Sequence, residues 1–320
     1  MNTHKSFEKQ NFDEIPLVSV IVPVYNQEQY IEKMIESIIL QERCFPIEII
    51  IGDDCSTDDT WNIILQYQKE YPDLLKAYRQ KENLGLIKNF FDLAKKCRGK
   101  YVMELGGDDY WLPGKIATQV KYMEDNDNVG MCYGKAILEI DGKGIVRNKT
   151  IGSECRTFEE LLHNNHVPAL TACCRNILLQ KYIKDICPEE KPWKMEDYPM
   201  WLWFSKISKI HFIDVRMACY RLVLGSISHS QKETRRMDII NSVFDIRKFF
   251  ADGNKSLIID AEKQRQEEIA MIYFTFNDVK KYRYYNSQVG GMKSKLKNIL
   301  SYIPGTHWVL SKYYLNRGVI

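Results

Sequence analysis

Before residue 140, short runs of β-branched and apolar residues alternate with segments whose apolar residues recur at helical spacing. Val18–Val24 (VSVIVPV) and Ile47–Ile51 (IEIII) read as buried strands, and Tyr101–Leu105 (YVMEL) as a further one. Leu74–Tyr78 is a weaker strand between them. Ile31, Met34, Ile35, Ile38 and Ile39 mark one amphipathic helix; Leu86, Ile87, Phe90, Phe91 and Ala94 mark another. A third runs to about Tyr71, and Ser56 with Asp59 resembles a capping box at its start. Pro113 opens a helix that buries Ile116, Val120 and Met123, and Gly130–Ile140 is a strand closed by an Asp141-Gly142 turn. Such alternation predicts an α/β fold: a doubly wound, mostly parallel sheet flanked by helices.

Acids gather where these strands end. The second strand runs into Gly52–Asp59 (GDDCSTDD) and the fourth into Gly106–Trp111 (GGDDYW). In a parallel sheet both ends lie on the edge where such folds bind ligands, so the clusters are expected to converge. Asp108 and Asp109 repel each other unless a cation or a donor-rich ligand lies between them. Oxygen ligands suit a hard ion, Mg²⁺ or Mn²⁺, shared with a phosphate. The plainer reading makes Asp108 a helix cap and leaves Asp109 solvated.

The middle of the chain is less regular. Thr157–Leu162 reads as a short helix and Pro168–Arg175 as a strand. Met195–Phe204 (MEDYPMWLWF) sets Glu196 and Asp197 at the head of an aromatic helix, with Pro199 tolerable only in its first turn. Ile210–Val215 and Met217–Leu222 read as two strands, followed by a small polar loop, residues 224–230. Helices are expected over Met237–Phe250 and Ser256–Phe276. The domain reading is a polar N-terminal tail (1–16), a main α/β domain that carries the acid clusters (17–230) and a helical C-terminal extension (231–320).

Charge sharpens this division. From Lys280 to Ile320 there are eight basic residues and no acid, which against a net +3 leaves the first 279 residues at −5. A basic, aromatic tail on an acidic body points to an anionic surface: a membrane, or else a partner subunit or the catalytic domain itself. No nucleic-acid-binding module is recognisable, so that class is set aside. No apolar run reaches the ~20 residues of a membrane span. Residues 1–12 lack a signal-peptide core. Nine scattered cysteines form no CxxC pair. The expected location is cytoplasmic, either free or peripheral at the inner face of the plasma membrane.

Taken together and in order, Val18–Asn26, Gly52–Thr60, Asn83–Gly85, Gly107–Trp111 and Glu196–Asp197 resemble the motifs of family-2 glycosyltransferases with the GT-A fold, over about residues 17–230. The resemblance implies roles. Asp54 would accept a hydrogen bond from the nucleotide base, in a pocket shaped by Pro23, Tyr25, Asn26 and Glu28. Asn83 and Gly85 would support the nucleotide. Asp108 would lie near the ribose and metal-bound water, and Asp109 would ligate Mg²⁺ or Mn²⁺. Asp197, with Glu196 beside it, would be the general base, and His229 would reach the diphosphate from its loop. Many relatives carry a further acid where this chain has Gly106.

The activity implied is inverting transfer of a sugar from a nucleotide diphosphate-sugar, a UDP-sugar foremost, to a hydroxyl of a glycan or lipid-linked acceptor. The rivals are a sugar-1-phosphate nucleotidyltransferase, whose basic glycine-rich loop is missing after the first strand, and a non-catalytic nucleotide-sugar-binding protein. Plainer readings of single residues stand beside these roles. Asp58 and Asp59 fit helix-start acids, Trp201 and Trp203 fit either core or sugar platform, and Lys88 fits the solvated surface. Composition leaves the oligomeric state open.

Overall fold

The computed structural model describes residues 15–223, 233–291 and 294–295. They fall into two compact units. One runs to Lys191 and resumes at Met195; the other joins Pro192–Lys194 to the described residues from Glu233 onward.

In the first unit, β1 (Val18–Val24), β2 (Ile47–Asp53), β3 (Leu75–Arg79) and β4 (Tyr101–Glu104) lie parallel in the order β3-β2-β1-β4. The sequence dictates this arrangement. Both faces of β1 and β2 are buried and mostly apolar, as a central parallel strand requires, with buried Ser19 and Glu48 bonded to each other. The crossovers are helices α1 (Ile31–Ile39), α2 (Thr60–Glu70) and α3 (Leu86–Ala94). The isoleucine and methionine stripe expected on α1 is its buried face. Helix α3 packs close on β2: Asn89 Nδ2 donates to the Gly52 carbonyl at 2.8 Å, and a Cβ on Gly52 would lie 2.7 Å from Asn89 Oδ1.

After β4 come β5 (Tyr110–Trp111), α4 (Lys115–Asp125), β6 (Val129–Ile140), β7 (Gly144–Ile151), α5 (Phe158–His163), β8 (Cys173–Arg175), α6 (Asn176–Ile186), α7 (Asp197–Ile207) and β9 (Lys209–Leu222). They extend the sheet as β4-β8-β6-β9-β5, with β7 paired to β6. Strand β8 runs antiparallel to both β4 and β6, while β9 runs parallel to β6.

Several expectations are corrected. Of Pro168–Arg175 only the last three residues are strand; Ala169–Thr171 is a 3₁₀ turn. The two strands read over Ile210–Leu222 are one, because register shifts near Lys135 of β6 carry the pairing past the polar break. Ser56 does not cap α2. Asp59 occupies the cap position without a side-chain bond, and Ser56 Oγ accepts the Asn26 main-chain N–H at 2.9 Å instead. Helix α4 starts two residues after Pro113, because Gly114 takes a left-handed turn (φ 83°) that a side chain would strain. Strand β7 and helix α6 were not expected.

The second unit holds α8 (Glu233–Phe250), α9 (Lys255–Thr275) and α10 (Val279–Val289). Asn254 caps α9 through the N–H groups of Ser256 and Leu257, and Asp278 caps α10 through that of Lys281. Ile269, Ala270, Tyr273, Phe274 and Tyr282 form its apolar centre. Among the described residues no helix is long and apolar enough to cross a membrane. His229, residues 1–14 and most of the basic tail lie outside the described residues.

Candidate active site

Parallel pairing brings the ends of β1, β2 and β4 to one edge. Val24 pairs with Asp53 and Ile21 with Glu104, and the Asp54 N–H donates to the Val24 carbonyl at 2.9 Å. The loops after β1 and β2 are stitched together. The Asn26 N–H meets Ser56 Oγ, Asn26 Oδ1 accepts from the Thr57 N–H at 2.8 Å, and the Gln27 N–H meets Thr60 Oγ1 at 2.7 Å. The Glu28 N–H donates to Asp58, while Glu28 Oε2 accepts from the Asp59 N–H at 2.9 Å. Asn26 is thus a structural clasp, in the left-handed region that Asn tolerates (φ 52°). Pro23, next to last in β1, is half-buried, and Tyr25 just after the strand is exposed.

Asp54 is buried, and its two oxygens accept the N–H groups of Leu84 and Gly85 at 2.7 and 2.8 Å. It therefore holds the Asn83–Gly85 turn, where Asn83 is exposed and Gly85 has φ +82°. Each oxygen keeps a second lone pair for a ligand donor. Its neighbour Asp53 is wholly buried and ion-paired to Arg79 at 3.1 Å.

The turn after β4 rests on the β1 loop. A Cβ on Gly107 would lie 2.0 Å from Gln27 Oε1 and 2.7 Å from Val24 Cγ1, so only glycine lets the backbone pass. Asp108 is half-buried and Asp109 buried. Asp109 Oδ1 accepts the Arg221 main-chain N–H at 2.7 Å, and the Arg221 guanidinium donates to the Asp108 carbonyl. Tyr30 and Tyr110 lie against that guanidinium, at 4.9 and 5.4 Å. Burial, and then the Asp108 charge, push the Asp109 carboxyl well above its ordinary range, while Arg221 pulls the other way. A carboxylate pair destabilised in this way is stabilised by a bound cation. Among the described residues no three Asp, Glu, His or Cys side chains converge to hold a metal by themselves. Two carboxylates, completed by a ligand's phosphates, are a donor set suited to Mg²⁺ or Mn²⁺.

Glu196 and Asp197 stand half-buried at the start of α7. Burial and then Asp197 push Glu196 up to about 8. Asp197 is raised by burial too, held back by main-chain N–H groups and by the Asn165 side chain. Met200 and Trp201 of α7 line one small space with Glu104, the last residue of β4, so α7 packs beside the end of that strand.

Sequence reasoning missed Arg221, Asn165 and Glu104. An arginine in a strand and an asparagine after a short helix look like surface residues, and one glutamate in an apolar run carries no signal of its own. Trp201 and Trp203 are core side chains, 2% and 8% exposed and packed on Phe204 and Tyr182, so neither offers a face to a sugar. Lys88 is exposed.

Comparison with known proteins bears on family and fold. A family model described as Glycosyl transferase family 2 matches residues 19–186. The chain is 31% identical over 232 residues (71% of this chain, 86% of the relative) to the Escherichia coli UDP-Glc:alpha-D-GlcNAc-diphosphoundecaprenol beta-1,3-glucosyltransferase WfaP. It is 38% identical over 117 residues to an uncharacterised Mycobacterium tuberculosis protein, covering 36% of this chain and about a third (34%) of that protein's length. The mannosyltransferase PcManGT of Pyrobaculum calidifontis, solved with GDP-Man and Mn²⁺, shares the fold at a TM-score of 0.59 and 16% identity, over 95% of this chain and 86% of its own. The strand order, the carboxylate-bearing edge and these matches lead to one conclusion: the chain belongs to glycosyl transferase family 2 and has the GT-A fold.

Proposed function

We propose that this protein is an inverting glycosyltransferase that moves a sugar from a nucleotide diphosphate-sugar, a UDP-sugar foremost, to a hydroxyl of a glycan or lipid-linked acceptor. What supports the reading is that Asp54, Asp108 and Asp109 follow the ends of neighbouring parallel strands, and that α7, which opens with Glu196 and Asp197, packs beside β4 through Met200 and Trp201. WfaP bears a name that states a UDP-glucose donor and a diphosphoundecaprenol-linked acceptor.

In this reading Asp54 receives the base N–H while keeping the Asn83–Gly85 turn in place. Pro23, Tyr25, Asn26 and Glu28 shape the pocket around it. Asp108 and Asp109 would hold Mg²⁺ or Mn²⁺, and such an ion would supply the positive charge that makes a diphosphate a better leaving group. Asp197 takes the proton of the acceptor hydroxyl as that oxygen attacks the anomeric carbon, and a single displacement inverts the centre. Burial suits it to this task, because it makes the carboxylate a stronger base than one in water. Glu196 adds charge beside it, and His229 is placed in the role of a diphosphate contact. The basic tail, residues 280–320, would hold the protein against an anionic membrane near a lipid-linked acceptor.

Donor turnover tests the reading. UDP-, GDP- and dTDP-sugars with Mn²⁺ are expected to release nucleoside diphosphate. Pyrophosphate-dependent chemistry would favour a nucleotidyltransferase, and binding without turnover a non-catalytic protein.

A further inference from the structure

One residue of β9 holds the Asp108–Asp109 turn. Strands β5 and β9 pair antiparallel, Tyr110 with Cys219 and Trp111 with Ala218. The same register carried two residues further sets Arg221 opposite Asp108. Strand pairing has ended there, because the chain before Tyr110 is a turn. Arg221 supplies bonds where the ladder stops. Its main-chain N–H donates to Asp109 Oδ1 at 2.7 Å, and its guanidinium Nη1 donates to the Asp108 carbonyl. The first bond sets the direction of the Asp109 carboxylate. The second sets the peptide group that joins the two acids.

The guanidinium is itself held from several sides. Its side chain is 5% exposed, and Cζ lies 4.9 Å from the centre of the Tyr30 ring and 5.4 Å from that of Tyr110. Nε lies 3.9 Å from Glu139 Oε2. The same oxygen accepts from Cys219 Sγ at 3.6 Å and lies 3.6 Å from Lys33 Nζ, which sits 3.7 Å from the centre of the Tyr110 ring. Tyr30 in turn donates its hydroxyl to Asp141, just after β6, at 2.8 Å. Burying a guanidinium costs free energy, and an apolar side chain of similar bulk would fill the gap between two tyrosine rings without that cost. What an apolar side chain cannot do is donate to the Asp108 carbonyl. Arginine does so along a fixed direction, because its planar fork stacks on the rings while it donates.

We propose that Arg221 is a positioning residue for the divalent-ion site: acting through the turn rather than on the ion, it sets the Asp108–Asp109 backbone so that both carboxylates offer oxygen to one cation. The inference rests on the reading that these two acids bind Mg²⁺ or Mn²⁺. What Arg221 supplies is direction, so another cation in its place does not substitute for it.

Mn²⁺ binding by the full-length protein with UDP, read from the paramagnetic resonance signal of free Mn²⁺, tests this without turnover. Arg221→Lys keeps the charge and loses the planar fork; Arg221→Gln keeps a donor and loses the charge. Both should weaken Mn²⁺ binding by about 10–100-fold, the scale for groups that orient metal ligands. Raising Mn²⁺ to saturation should recover the kcat of both. A residue that only supports the fold would lower the melting temperature in EDTA and leave the Mn²⁺ requirement unchanged. Should the Arg221 variants fail to fold, Glu139→Gln loosens the guanidinium from behind and should weaken Mn²⁺ binding in the same sense, by less. Parent-like Mn²⁺ binding by Arg221→Lys, or by Glu139→Gln where that variant stands in, would overturn the proposal. Asp109→Asn separates the two readings: parent-like Mn²⁺ binding there would refute the ion site and the proposal with it. Binding lost there but kept in Arg221→Lys would refute the proposal alone.

Discussion

The carboxylate of Asp54 receives the main-chain N–H of Gly85 at 2.8 Å, across 31 residues of sequence. With the Leu84 bond it makes one side chain the anchor of a turn on another loop. Asp54→Ala leaves both donors bare, at about 2–4 kcal/mol for two bonds to a charged acceptor. Thermal or denaturant unfolding should show that loss, with a weaker nucleotide response. A variant as stable as its parent would mean that water replaces the carboxylate without cost.

Asp109→Asn keeps an oxygen to accept the Arg221 N–H but removes the charge that a divalent ion needs. The parent should gain melting temperature when Mn²⁺ and a nucleoside diphosphate are added together, and the variant should not. Equal gains would place the ion elsewhere.

Asp197→Asn should bind donor as the parent does and lower kcat by about 10²–10⁴-fold, the scale of a lost general base. The pH profile carries a second sign. The base works only when ionised, and burial raises both Asp197 and Glu196, the latter to about 8. Activity should therefore fall with decreasing pH well above the ordinary carboxylate range. A profile flat down to about pH 5 would contradict a raised pair.

Replacing Lys293, Lys295 and Lys297 together by alanine tests the tail. The parent should bind anionic liposomes at low salt and release them as salt rises, and the variant should bind weakly. Equal binding by both would remove the membrane role from these lysines.

The legible parts of the fold are those written in local chemistry. The periodicity of Ile31–Ile39 is the buried stripe of α1, and the β-branched run of Val18–Val24 is the central strand. Ser56 was misread because a capping pattern cannot reveal that its hydroxyl belongs to Asn26, 30 residues away. Helix α6 has no side-chain cap to announce it, and the polar middle of β9 looks like a break because its continuity depends on shifts in β6. At the site, acids in doublets were conspicuous. Arg221 was not, because its value lies in giving its main-chain N–H to the Asp109 carboxylate and its guanidinium to the Asp108 carbonyl, 112 and 113 residues upstream.

The stitching between the loops that follow β1 and β2 also limits how the protein can breathe. Asn26, Gln27 and Glu28 hold the second loop at five points, so the two move as one jaw. A nucleotide entering the cleft cannot prise them apart without breaking all five. Whatever yields to admit it must lie outside these two loops.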